Sequence, residues 1–246
     1  MTPSPADLAG HRPLRTAVII DYQNIHLTAG NLFAADAPAH EALIDPMLFS
    51  RALIQKRNDD QAPGHPRATL SQVTACRGLP SADYDWEQNR RCQDQALNWR
   101  RDGATIELRP LKYDFQRDAD GYPVKSVYGK KIPVGAPREK GIDVLVAVKA
   151  LGAALNPSID LVIIASHDTD MVPVLDELYD MYGQGLTNGT RVETASWFNR
   201  ELFEKKRFGG KQIRPSARSD GQPRGIWNTR LERRQFDASL DRRDYL

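Results

Sequence analysis

The sequence predicts an α/β protein: a three-layer domain built on a central, mainly parallel sheet, with an inserted hairpin or flap and a basic C-terminal extension. Three observations predict it. Two apolar runs, AVII at 17–20 and LVIIA at 161–165, lead into carboxylates: Asp21 after the first, Asp168 and Asp170 after the second. Continuous apolar runs of that length suit strands buried on both faces, as in a parallel sheet. Between them, strand-like and helix-like stretches alternate, the order that crossover connections produce.

Residues 16–20 form the first strand. Residues 22–37, polar and Ala-rich with Gly30 and Asn31, read as a connection. Asp45-Pro46 starts a helix, because Asp accepts from free amides and Pro suits the first helical position; it runs to about Lys56. Residues 58–66, with Pro63, Gly64 and Pro66, form a loop, and residues 70–76 alternate as a strand does. Arg77-Gly-Leu-Pro80 turns the chain. Ser81 or Asp83 then caps a helix reaching Arg101, Asp102-Gly103 ends it, and residues 104–108 make a third strand.

Residues 111–137 break this rhythm. Asp120-Gly121 and Tyr128-Gly129 mark turns between short runs, which predicts the flap. The flap and its flank mix Lys130, Lys131 and Arg138 with Tyr113, Phe115, Tyr122 and Tyr128, cations and aromatic faces of the kind that single-stranded nucleic acid needs. A helix begins near Asp143 and ends before Pro157, the fourth strand follows, and Pro173 sets the start of another helix with Thr169 or Asp170 as its cap. That helix stops near Tyr182, residues 191–195 are a fifth strand, and residues 197–207 form a short helix. Residues 209–224, rich in Arg, Ser, Pro and Gly, read as mobile, with Ile226, Trp227, Leu231 and Phe236 able to dock.

A chain of 246 residues, 40% hydrophobic and 27% charged, suits one α/β domain with additions. The expected division is a flexible N-terminus at 1–13, a domain at 14–207 and the basic extension at 208–246. No apolar run approaches the roughly 18 residues of a membrane span. Residues 1–13 lack the apolar core of a secretory signal, and Cys76 and Cys92 form no C-x-x-C pair, so a cytoplasmic protein with reduced thiols is expected. Residues 201–246 hold 12 Lys and Arg against 7 Asp and Glu, leaving −3 for the first 200 residues. A basic tail on a mildly acidic body suits a polyanionic partner.

Four acids fall at comparable places: Asp21 and the pair Asp168 and Asp170 at strand ends, and Asp143 in the first turn of a helix. Were the first and fourth strands neighbours, their tips would lie about 5 Å apart. Clustered carboxylates raise one another's proton affinity unless a cation neutralises them, and an all-oxygen set suits Mg²⁺ or Mn²⁺. Each acid also has a plainer explanation in helix capping, and His26 and His167 read more readily as packing residues than as ligands. Other chemistries lack their motifs. There is no G-x-x-x-x-G-K-[ST] loop and no G-x-S-x-G elbow, the glycines at 183–189 follow a helix rather than a strand, and no second acid stands two residues after Asp21.

Ile20-Asp-Tyr-Gln-Asn24, Lys140-Gly-Ile-Asp-Val144 and Ser166-His-Asp-Thr-Asp-Met171 resemble, in order and spacing, the three motifs of the NYN domain family, relatives of PIN-domain and flap-endonuclease-like nucleases. The resemblance spans about residues 16–195. It implies a PIN-like, Rossmannoid sheet and a ribonuclease whose Mg²⁺ or Mn²⁺ is held by Asp21, Asp143, Asp168 and Asp170, with Asn24 in support and Asp168 the strongest direct ligand. His167, Thr169 and Met171 depart from the Ser-Gly-Asp-Ser-Asp-Phe common in relatives, and Lys149 stands where a further acid is common. The expected activity is endoribonucleolytic, on single-stranded or structured RNA gripped by Lys130, Lys131 and Arg138 and by Lys205, Lys206 and Arg207. No membrane partner is expected, and a homodimer is compatible with the sequence. Two rival readings are a non-catalytic RNA-binding or scaffold protein of the same fold and a DNA-directed nuclease.

Overall fold

In the computed structural model, which describes residues 12–36, 38 and 42–245, a six-stranded parallel sheet is flanked by helices on both faces. Most of the stretch read as a flexible N-terminus lies outside the described residues. In chain order the sheet strands are β1 (Leu14–Asp21), β2 (Ala68–Leu79), β3 (Thr105–Pro110), β6 (Leu161–Ala165), β7 (Arg191–Trp197) and β8 (Asn228–Leu231), arranged β3-β2-β1-β6-β7-β8. The chain winds outward from β1 to β3, then crosses back to β6 on the other side of β1. The strand order therefore reverses between β1 and β6, and at such a point the carboxyl ends of the strands open a crevice. Ile20 pairs with Ala165, so Asp21 and Ser166 leave the sheet side by side.

Alternation along β1 builds the two cores. Val18 and Ile20 pack under α1 (Tyr22–Phe33), α2 (Pro46–Asp60), α3 (Trp86–Arg101) and α7 (Arg233–Ser239), whereas Ala17 and Ile19 pack under α4 (Ile142–Ala154) and α5 (Val172–Gly183). Asp21 continues the second series, so its side chain leaves on the α4 side. The interrupting segment is a two-stranded antiparallel flap of β4 (Lys112–Phe115) and β5 (Pro133–Arg138), as the turn signals implied.

Several expectations are corrected. The supposed connection after Asp21 is the helix α1. Its Tyr22, Ile25, Ala29 and Leu32 bury one face, and Asp21 caps it by accepting from the Asn24 amide. Arg77-Gly-Leu is no turn: it extends β2, with Gly78 level with Arg109 of β3. A side chain at Gly78 would stand 2.2 Å from Leu111 and 2.8 Å from Glu139, so the glycine lets the base of the flap close on the strand. α3 is capped by Asp85 rather than by Ser81 or Asp83. Trp197 belongs to β7, and the helix after it is the short α6 (Arg200–Glu204).

The basic extension is no appendage, and the stretch at 209–224 read as mobile is docked: Ile213 enters the second core, the Ser216 amide donates to Asp176, and the Arg224 guanidinium donates to Asp180. β8 closes the sheet edge beside β7, and Phe236 of α7 enters the first core. Behind α7, the Asp241 carboxylate accepts from Trp99 Nε1 at 2.7 Å and from the Tyr245 hydroxyl at 2.7 Å. Arg243 joins Asp241 to Asp45 and Asp102. Among the described residues no helix is long and apolar enough to cross a membrane.

Candidate metal centre

Asp21, 3% exposed, is the inner member of the acidic edge. Ser166 Oγ donates to its Oδ2 at 2.9 Å, and the same hydroxyl accepts from the Asp168 amide at 3.0 Å. Asn24 Oδ1 accepts from the His167 amide at 2.7 Å. The first turn of α1 and the loop after β6 are thus joined through two side chains, Asn24 and Ser166. Asp168 Oδ1 accepts from the Asp170 amide at 2.9 Å, capping a single 3₁₀ turn (Thr169–Met171) ahead of α5.

This last bond corrects an expectation. Asp168, not Thr169 or Asp170, is the cap, and the Asp170 carboxylate caps nothing. The inserted 3₁₀ turn moves the cap upstream, so Asp170 is the acid without a structural task and Asp168 carries one.

Asp143 lies in the first turn of α4, whose cap residue Gly141 offers no side-chain bond. Burial raises its pKa, and the charges of Asp168 and Asp170 raise it further. Burial pushes Asp21 up to about 7 against the hydrogen bonds from Ser166 and Asn24, and the charges of Glu139 and Asp143 add to the rise. Among the described residues, Asp21, Asp143, Asp168 and Asp170 form no ion pair with Lys or Arg. They do not converge into a closed cage: no group of three or more His, Cys, Asp or Glu among the described residues is gathered tightly enough to hold an ion unaided. The donor chemistry nevertheless suits Mg²⁺ or Mn²⁺, since a hard ion that keeps several waters needs only one or two carboxylates. At Asp21 and Asp143 burial, reinforced by neighbouring carboxylates, raises the proton affinity, and a bound cation would offset that cost.

No family model matches the chain. No curated protein matches it either. Among solved structures it is similar to the crystal structure of a protein of unknown function from Vibrio parahaemolyticus, at 15% identity over 91% of this chain and 96% of that one, with a TM-score of 0.43.

Glu139 escaped the sequence reading. It accepts from the Gly78 amide at the end of β2, its pKa is raised chiefly by burial, and its charge reaches both Asp21 and Asp143. The available signal was an acid directly ahead of the Lys140-Gly-Ile-Asp143 motif. Lys149 is held by Glu107 in the middle of β3. His167 is a tether: its Nδ1 donates to the Lys211 carbonyl at 2.9 Å and its Nε2 accepts from the Trp197 amide at 3.0 Å. Both ring nitrogens are engaged in this neutral tautomer, and burial lowers the pKa. His26 stacks on Tyr22, and burial brings it down to about 4.

The six basic residues expected to grip RNA are dispersed. Lys130 pairs with Asp83 at 2.7 Å, Arg138 with Asp114, and Lys131 lies 5.3 Å from the Phe115 ring. Lys205 stands 3.9 Å from Glu201. Lys206 and Arg207 are exposed beyond α6. Exposed pairs of this kind are weak and yield to a stronger anion. A cavity of about 300 Å³ opens at the opposite, amino-terminal end of β7, around Tyr179, Tyr182 and Trp227 over the buried Arg57–Glu193 pair, and none of the carboxylates of the acidic edge lines it.

Proposed function

We propose that the chain is a metal-dependent endoribonuclease of the NYN type, hydrolysing phosphodiester bonds at the acidic edge. The observation that carries this reading is the meeting of Asp21 and the Ser166–Asp170 loop at the strand-order reversal, with Asp143 within electrostatic reach and, among the described residues, no Lys or Arg paired to any of them. The three resembling motifs supply these same residues.

Asp21, Asp143, Asp168 and Asp170 would hold Mg²⁺ or Mn²⁺, which when bound acidifies a coordinated water and offsets charge on the phosphate. Ser166 and the Asn24 amide fix the Asp21 carboxylate at the mouth of the crevice. Asn24 also holds the loop that carries Asp168. Asp168, occupied in part by the Asp170 amide, orients the turn, and Asp170 presents an uncommitted carboxylate. Glu139 adds negative charge on the β2 side.

Labelled single-stranded RNA and DNA, incubated with wild type and Asp168→Asn in Mn²⁺ or EDTA, test the reading. Asn keeps the capping oxygen, so the fold is preserved while the charge is lost. Cleavage of RNA that needs Mn²⁺ and disappears in the variant is expected. Cleavage indifferent to both EDTA and the substitution would sink the metal mechanism. Binding without cleavage would favour a scaffold, and preferential cleavage of DNA would favour the other nuclease.

A further inference from the structure

The loop bearing Asp168 and Asp170 opens on one side into a cleft of about 540 Å³ across the carboxyl ends of β7 and β8. Thr169, between the two acids, is on its wall. Phe198 and Phe203 form an aromatic side, with ring centroids 5.5 Å apart and Phe203 62% exposed. Lys211, Arg214 and Arg230 supply the remaining charge, all three exposed. Lys211 and Arg214 have no carboxylate partner among the described residues, and the Arg230 guanidinium lies 5.1 Å from the Phe198 ring.

The cleft is built rather than incidental. Ile213, 1% exposed, pins the segment carrying Lys211 and Arg214 into the second core. The His167 ring joins that segment to the acidic loop by holding the Lys211 carbonyl and the Trp197 amide together. Gly210, at φ +101°, brings the strap so close to β7 that a Cβ there would lie 2.2 Å from the Trp197 carbonyl oxygen. Arg138, Lys130 and Lys205, by contrast, already face carboxylates.

We infer that this cleft is the track of a single-stranded polynucleotide whose chain continues out of the acidic edge, with Lys211, Arg214 and Arg230 on successive phosphates and Phe203 stacked on a base. The inference rests on the proposed phosphodiester chemistry for its direction and on the cleft's own residues for its ligand. Unpaired cations beside exposed aromatic faces match alternating phosphates and bases. An acidic peptide would use the cations and leave the phenylalanines idle.

Fluorescence anisotropy of the full chain with labelled 12-mers of uridine RNA and thymidine DNA, in EDTA so that nothing is cleaved, measures binding apart from catalysis. Replacing Lys211, Arg214 and Arg230 together by Ala removes up to three phosphate contacts. It should weaken binding about tenfold or more and lower the slope of log affinity against log salt by about 2. Phe203→Ala should weaken binding about tenfold and leave that slope unchanged. Substituting Lys130 and Arg138, which already face carboxylates, should change affinity and slope much less. All four replaced side chains are exposed, and an unchanged melting temperature verifies the fold. Comparable loss on RNA and DNA supports the track, as does loss on RNA alone.

Unchanged affinity and slope in the triple variant would overturn the inference, as would polyglutamate of equal charge competing as well as the oligonucleotides. The two readings fail separately. Wild type that binds but never cleaves in Mn²⁺ removes the nuclease and keeps the track; cleavage with full binding in the cleft variants does the reverse.

Discussion

Replacing Asp21 by Asn should stabilise the metal-free protein, and by an amount that depends on pH. A carboxyl group whose pKa rises from 3.8 to about 7 on folding holds its proton more tightly in the native state. Below the lower value the group is protonated in both states and costs nothing. Between the two values the unfolded chain ionises while the native protein keeps its proton, so stability falls across that window and the loss is complete once pH passes the folded pKa. The full shift corresponds to about 4 kcal/mol as an upper bound, and structural relaxation and imperfect replacement of the Ser166 bond reduce the expected gain to roughly 1–3 kcal/mol. Asn preserves the acceptor for the Asn24 amide, so the cap on α1 survives. Urea unfolding in EDTA from about pH 4 to about pH 8 measures the difference. The two proteins should have nearly equal stability near the acid end and separate as pH rises, the variant above the wild type. Saturating Mn²⁺ near pH 8 should raise the wild type by about 1.4 kcal/mol or more beyond any rise in the variant. A variant less stable than wild type near pH 8, or a gap indifferent to pH, would refute the electrostatic reasoning.

Elsewhere, Arg57→Ala should cost about 3–5 kcal/mol in urea unfolding, because Glu193 would keep a buried charge without its bidentate partner, whereas replacing the pair by Met and Leu should cost far less. Gly210→Ala should lower stability by about 2 kcal/mol or more, from positive φ and the clash with Trp197 together. Hydrogen exchange should quicken at residues 211–214 in that variant, and unaltered exchange would contradict the role assigned to the glycine.

The fold class and the two acid-tipped strands were legible because the last six residues of β1 and all of β6 are buried apolar-rich runs that lead into carboxylates, so composition alone marks them. Their adjacency, a condition at the sequence level, is met by the pairing of Ile20 with Ala165. α1 was not legible: its exposed face is uncharged, and Gly30 and Asn31 suggested a break that the buried Tyr22, Ile25, Ala29 and Leu32 override. Gly78 read as a turn glycine because its actual task, letting Leu111 and Glu139 approach β2, depends on residues more than thirty positions away. The Arg-rich run before β8 concealed a strand whose burial rests on only Thr229 and Leu231. In the acidic edge, the four aspartates followed from spacing, while Glu139 and Ser166 join them only through tertiary contacts. The exchange of capping roles between Asp168 and Asp170 comes from one 3₁₀ turn, a detail of backbone geometry that residue type does not encode.

Carboxylates at the strand-order reversal that form a divalent-cation site would bind Mn²⁺ saturably. Titration of Mn²⁺ followed by calorimetry near pH 8, on wild type, Asp21→Asn and Asp170→Asn, tests it most directly. Binding by the wild type should saturate and should weaken about tenfold or more in each variant, because every lost carboxylate removes a charged oxygen donor. Absence of saturable binding in the wild type, or equal affinity in all three proteins, would contradict it.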